Sequence, residues 1–167
     1  MTSDIALLVL RLVVGGLMVG HGAQKLFGVL GGPGLAGTTG WLASIGLRPA
    51  GLWARAAGLA EFGGGLLLAL GLLTPLGGLG VIAAMLMAIL LVHRSKGVWV
   101  SNGGGEYNFV IATVGLVLIL TGAGAYSLDT LLNLTLSPTV IVVAAALTLL
   151  GIITALTSRR TAAAQQA

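Results

Sequence analysis

The sequence predicts an all-α integral membrane bundle, and three observations carry that prediction. Hydrophobic residues make up 57% of the chain and charged residues only 7%, so most of the surface must face lipid or other helices. Apolar runs of about 18 residues or more recur, each long enough to cross a hydrocarbon core about 30 Å thick. Barrel strands alternate apolar and polar residues with period two, and these runs do not. At 167 residues the chain has the length of one domain.

Five spans follow: Ile5–Leu26, Gly51–Leu73, Leu76–Val92, Tyr107–Thr121 and Pro138–Leu156. The first is preceded by Met-Thr-Ser-Asp rather than a positive segment, and it carries Arg11 and continues past Gly20. It therefore reads as a span and not as a cleaved signal. The linker Phe27–Ala50 is rich in glycine and holds Trp41, Leu42, Ile45 and Leu47. Two readings stand level there: an interfacial half-helix around Thr39–Ile45 anchored by Trp41, or an ordered surface loop. Pro75 suits the first turn of the third span. Arg94–Gly105 is a polar loop with Trp99 at the interface. The fourth span is the shortest and reaches full length only if Asn108 and Gly122–Gly124 lie at the interfaces. Ser137-Pro138 fits an N-cap followed by proline at the first helical position of the fifth span. Residues 158–167 read as a disordered tail.

Charge sets the expected orientation. Lys25, Arg48, Arg55, Arg94, Lys96, Arg159 and Arg160 fall on one face, and Asp4 and Asp129 on the other, with Arg11 alone toward the second face. The excess of lysine and arginine marks the cytoplasmic side, so the N-terminus is expected outside and the tail in the cytoplasm. These cations are scattered, with no interleaved aromatics, which argues against a nucleic-acid partner. The chain has no cysteine, excluding thiolate catalysis, iron–sulfur ligation and thiolate-bound zinc within it. No metal-ligand spacing and no phosphate-binding loop is present. The chain thus has no self-contained catalytic motif, and redox chemistry would need a bound cofactor or a partner. Gly16–Gly20, Ala60–Gly64 and Ala84–Ala88 are small-xxx-small pairs, which predict close helix packing and leave a homo-oligomer face open.

The polar residues inside the spans are the candidate site. An ionisable side chain at bilayer depth costs about 2.5–3.5 kcal/mol on insertion scales, so it is rarely left without a partner or a purpose. At 1.5 Å per residue, Arg11 lies about 9 Å and His21 about 24 Å from the outer boundary, and Glu61 about 15 Å from the inner one. Glu61 is therefore expected between the levels of Arg11 and His21, with Lys25 near the cytoplasmic interface. Arg11 falls within about 80° of His21 and Lys25 around the helix, so one stripe carries all three. Arg11 and Glu61 have two readings. One is structural: a buried ion pair fixing helix register, or a neutral Glu61 bonded to a carbonyl. The other is a polar site in which Glu61 moves protons while Arg11 and Lys25 hold ligand oxygens. His21 and His93 come to similar depth, which permits a bis-histidine haem or proton traffic with a quinone headgroup. Two histidines in ordinary hydrogen bonds are the better-supported reading than haem. Glu106 and Asn108 sit close in depth to His93, Lys25 and Arg55, which points to a polar pocket on the cytoplasmic side.

A family resemblance rests on particular residues. Arg11 is followed by G-L-M-V-G-H-G-A-Q-K-L-F (Gly16 to Phe27), and Glu61 precedes Gly63–Gly65 and a leucine-rich stretch ending G-L-L-T-P. The third span closes on His93, and G-A-G-A-Y-S-L-D runs from Gly122 to Asp129. Taken in order, over roughly residues 5–130, these resemble the DoxX family of small bacterial membrane proteins. The resemblance implies a four-helix membrane domain over 1–130, with 131–157 as a loop and an added fifth helix, in the bacterial inner (plasma) membrane. It also implies association with redox chemistry. Relatives occur with thiosulfate:quinone oxidoreductase, or with superoxide dismutase and a sulfurtransferase, and some are linked to resistance to catechols, quinones or thiol stress. Arg11, His21, Lys25, Glu61 and His93 become family-like polar positions with no assigned role. The leading expectation is a membrane subunit of a redox or detoxification system, with a quinone-like or small-molecule site between the first four spans. Its rival is an anchor or scaffold for soluble redox proteins, using Phe27–Ala50 and Arg94–Gly105. A transporter is the third reading, weakened because repeated halves with short discontinuous helices are not evident.

Overall fold

The computed structural model describes residues 2–159; most of the expected tail, 158–167, lies outside them. It is helical throughout, with one isolated bridge between Leu47 and Arg159 and no other strand pairing among the described residues. In chain order the helices are α1 (Thr2–Phe27), α2 (Gly34–Ser44), α3 (Ala50–Leu70), α4 (Thr74–Ala88), α5 (Glu106–Thr121), the short α6 (Leu128–Leu131) and α7 (Pro138–Thr157). A π-helical turn, Ile89–His93, and a 3-10 turn, Arg94–Lys96, extend α4. α1, the Thr74–Lys96 stretch and α7 are long and apolar enough to cross a membrane. α3 and the shorter α5 pack beside them. The outward faces are apolar, with Leu12 and Val13 on α1, Leu120 on α5, and Val142 and Leu147 on α7 all exposed. Such faces are stable against lipid, whose tails are as apolar as the side chains.

Each boundary has a local cause. α3 stops at Leu70, three residues short of the expectation, because Gly71 turns left-handed at φ 61° and the Gly71 and Leu72 amides bond back to Leu68 and Leu67. That is a glycine C-cap, which satisfies carbonyls the helix leaves free. α4 then starts at Thr74 with Pro75 in its first turn. Its first amides are capped from a distance: the Asp129 carboxylate accepts from Leu73 N at 2.7 Å and Thr74 N at 3.0 Å. α7 begins as its sequence predicts, with Ser137 Oγ accepting from Val140 N. In the Phe27–Ala50 linker the helical reading holds, but α2 opens at Gly34, five residues earlier than expected. Trp41 faces outward while Leu42 is buried, so one side of this helix packs on the bundle and the other carries the exposed indole.

Glycine decides which helices meet. A Cβ on Gly22 would overlap the Phe62 backbone, and one on Gly15 would lie 2.6 Å from the Gly65 carbonyl oxygen. α1 and α3 therefore run antiparallel at backbone contact. Gly64 of α3 meets α4 at Gly77 and Val81 in the same way. The Gly16–Gly20 pair takes no part in this packing: Gly16 has open space around it, and Gly20 only a Leu30 methyl at 3.8 Å. The core that results is built from Val14, Met18, Leu68, Val81, Met85, Ile111 and Leu118.

Charged groups also anchor the two ends of the bundle. At one end Asp4 accepts from Ala125 N, and Asp129 caps α4. At the other, Arg159 closes onto the α2–α3 turn, its Nε donating to the Ile45 carbonyl at 2.9 Å. That second contact holds the foot of α7 against the linker.

Candidate functional site

Glu61 lies midway along α3 and is 5% exposed. Its partner is Lys25, in the last turn of α1, whose Nζ donates to Glu61 Oε2 in a short charge-assisted contact. The glycine crossing explains the reach. With Gly22 against Phe62 and Gly58 against Leu26, the two backbones approach closely enough for a lysine to meet the carboxylate. The Thr38 hydroxyl of α2 shares its proton between the Gly34 carbonyl at 2.8 Å and the Lys25 carbonyl at 3.2 Å, which brings α2 against the last turn of α1.

Beside the pair is a cavity of about 560 Å³ that is partly open to the surroundings. Small residues line it: Ala56, Ala57 and Ala60 on α3 and Gly80, Ala83 and Ala84 on α4. The two helices meet closely there, since a Cβ on Gly80 would lie 3.2 Å from the Ala60 carbonyl oxygen, and these short side chains leave the space beside their crossing open. Trp41 and Trp53 line one end, and α7 forms the remaining wall with Thr148, Gly151, Ile152 and Ala155. Among the described residues, Lys25 and Glu61 are the only charged groups on its lining. A largely apolar pocket with a few convergent polar groups is the usual form of a small-molecule site, and the volume lies in the usual range. A lysine ammonium has three donors; with one given to Glu61, others remain for a ligand oxygen.

The other candidate residues go elsewhere. Arg11 is fully buried at the opposite end of α1, where Nη2 donates to the Tyr126 carbonyl at 2.5 Å. Its Nε and Nη1 have no acceptor among the described residues. The guanidinium presses on Gly71, where any side chain would overlap it. The expected Arg11–Glu61 pairing is therefore replaced by Lys25–Glu61 and by Arg11 with the Tyr126 carbonyl. The His21 ring meets Tyr107 edge-on, with ring centroids 6.2 Å apart. His93 Nδ1 lies 2.6 Å from the Gly103 carbonyl oxygen and holds the 97–105 loop to the π-helical turn. Neither histidine lines the cavity, and each ring has its own separate partner. Glu106 accepts from Val100 N within the same loop, and buried Asn108 donates to Met85 Sδ at 3.4 Å.

The polar lining was legible as a set of candidates, whereas its walls were not. Trp41, Trp53 and the α7 residues carry no charge to mark them. The available signal was the run of alanines and glycines at helical spacing along Ala56–Ala60 and Gly80–Ala84, which identifies faces too small to fill the space between helices.

A family model, DoxX, matches residues 6–94, from the first turns of α1 to the 3-10 turn after α4. The inner membrane protein YqjF of Escherichia coli (strain K12) is 32% identical over 131 residues, a stretch covering 78% of this chain and 95% of that protein. No solved structure matches.

Proposed function

The chain belongs to the DoxX family of membrane proteins, and on that premise we propose that it is a membrane subunit of a redox or stress-detoxification system that binds a lipid-soluble small molecule beside Lys25 and Glu61. The observation that carries this reading is an apolar cavity whose lining has one charged pair, Lys25–Glu61. Lys25 would donate to a ligand carbonyl or hydroxyl oxygen. Glu61 would hold the ammonium in place and exchange a proton with the ligand. A quinone suits these donors, and the family's association with quinone and catechol stress supports the class. Arg11 is reassigned from ligand binding to holding the Gly122–Asp129 segment on α1.

Cells lacking the protein and complemented with Glu61→Gln are expected to lose protection against catechol or quinone stress, while the variant accumulates in the membrane at normal level. Undiminished protection would sink the proposal. Native mass spectrometry of the gently solubilised protein separates the rival reading: bound soluble proteins with no small molecule would make it a scaffold.

We place the family-like domain at 1–130 and the additional helix at 131–157, in a bacterial inner membrane like that of the relative, with the N-terminus outside. The segregation of Arg94, Lys96 and Arg159 from Asp4 and Asp129 supports this orientation. Because the chain has no cysteine, single introduced ones report it directly. An impermeant maleimide added to intact cells is expected to label Thr135→Cys and spare Ser95→Cys. The reverse pattern would invert the topology.

A further inference from the structure

α7 is more than an appended helix. It packs on α4 and is pinned at its foot by Arg159, but makes at most marginal contact with α3. The gap between α3 and α7 is where the cavity lies, lined by Ala56, Ala57 and Ala60 on one side and Gly151 and Ile152 on the other. A Cβ built on Gly151 meets nothing within 4 Å, so the backbone there faces open space. The matched family region ends at residue 94, well before this wall begins.

We infer that Gly151 sets the depth of the cavity and thereby selects its ligand: a neutral, lipid-soluble ring compound carrying a carbonyl or hydroxyl oxygen, admitted sideways from the bilayer between α3 and α7. This rests on the small-molecule reading of the same site and adds the ligand's path and the residue that limits its size. Neutrality follows from the lining. Lys25 and Glu61 already cancel, and the remaining walls are apolar, so a net charge would lose its hydration without finding a counter-ion. An oxygen acceptor follows from the donors left on Lys25. A ring follows from Trp41 and Trp53 on the lining, whose faces stack on planar groups. A bare acyl chain fits the walls but leaves those donors unmet. Lateral access follows from the uncovered α3–α7 gap.

The test uses the full chain in a Trp99→Phe background, so that fluorescence reports Trp41 and Trp53 alone. The probe is 2-methyl-1,4-naphthoquinone, a neutral ring that quenches tryptophan. Saturable quenching is expected, with the midpoint raised at least about tenfold by Gly151→Leu, since even small steric changes in an apolar pocket shift affinity by that order. Ala57→Leu, which fills the cavity from the facing wall, is expected to act alike. Gly151→Ala should change little, and Gly16→Leu, on the outward face of α1, nothing. Leucine is a better helix former than glycine, so Gly151→Leu is expected to fold, as circular dichroism would verify. A midpoint unmoved by both wall substitutions but raised by Glu61→Gln would overturn Gly151 as the limiting residue and leave the site standing. A midpoint unmoved by any of the three would overturn both. Quenching that rises without saturating, as for a probe merely dissolved in detergent or displaced by bound lipid, would overturn the ring-ligand assignment.

Discussion

Gly22→Leu is expected to be the most destabilising single substitution in α1, lowering stability by about 3 kcal/mol or more and dispersing the α1–α3 pair. Overpacking a filled interior typically costs about 1–3 kcal/mol even when side chains can move aside. Here the obstacle is the Phe62 backbone, overlapped at the first added atom, so no rotamer change relieves it. The neighbouring contact offers no slack either, because a Cβ on Gly65 would stand 2.7 Å from the Gly15 carbonyl oxygen. Lipid supplies no hydrophobic drive to hold the helices together once their backbones separate. Gly22→Ala should fall between wild type and Gly22→Leu. Gly16→Leu, one helix face away with open space around it, is the internal control. Thermal unfolding in detergent reads the series, and equal midpoints for Gly22→Leu and Gly16→Leu would refute glycine contact as the basis of this pairing.

The same glycines explain what the sequence alone conceals. Helix class, span positions, the Ser137-Pro138 cap and the candidate polar residues follow from local composition and spacing, and they are visible without a structure. The partner of Glu61 does not follow from them. Depth counting treats every helix as starting at a common plane, and on that basis Glu61 falls between Arg11 and His21. In the structure, Gly15 meets Gly65, Gly22 meets Phe62, and Arg11 meets Gly71. That antiparallel register sets Glu61 level with the last turns of α1, and sets Phe27, the end of α1, level with the second turn of α3. The linker makes this offset, since α2 packs against both helices and α3 begins below the end of α1. Arg11 is thereby carried to the far end, beside Tyr126 and the Asp129 cap. The cavity was hidden for a related reason. Alanine faces on α3 and α4 look like tight packing until the position of α7 is known, and α7 stands away from α3.

Register also predicts how the charged pair responds to substitution. Lys25→Ala is expected to destabilise the bundle by less than the about 3–5 kcal/mol lost when a fully buried ion pair is broken from one side, because the Lys25 side chain is 28% exposed. The Glu61 side chain is 6% exposed and would be left as an unmatched charge. Lys25→Met with Glu61→Leu should recover most of that stability, because two apolar groups of similar volume need no hydration to be replaced. The exchange Lys25→Glu with Glu61→Lys should retain more stability than Lys25→Ala. Arg11→Glu with Glu61→Arg should be worse than either, since it sets a carboxylate against the Tyr126 carbonyl and an arginine against Lys25. Unfolding midpoints of the four variants decide the matter, and an Arg11/Glu61 exchange as stable as the Lys25/Glu61 exchange would refute the pairing. The apolar double variant then separates structure from ligand binding. It removes the charged groups of the cavity while keeping the bundle folded, so loss of saturable naphthoquinone quenching in a protein with a normal unfolding midpoint would assign the ammonium and carboxylate to the ligand rather than to the fold.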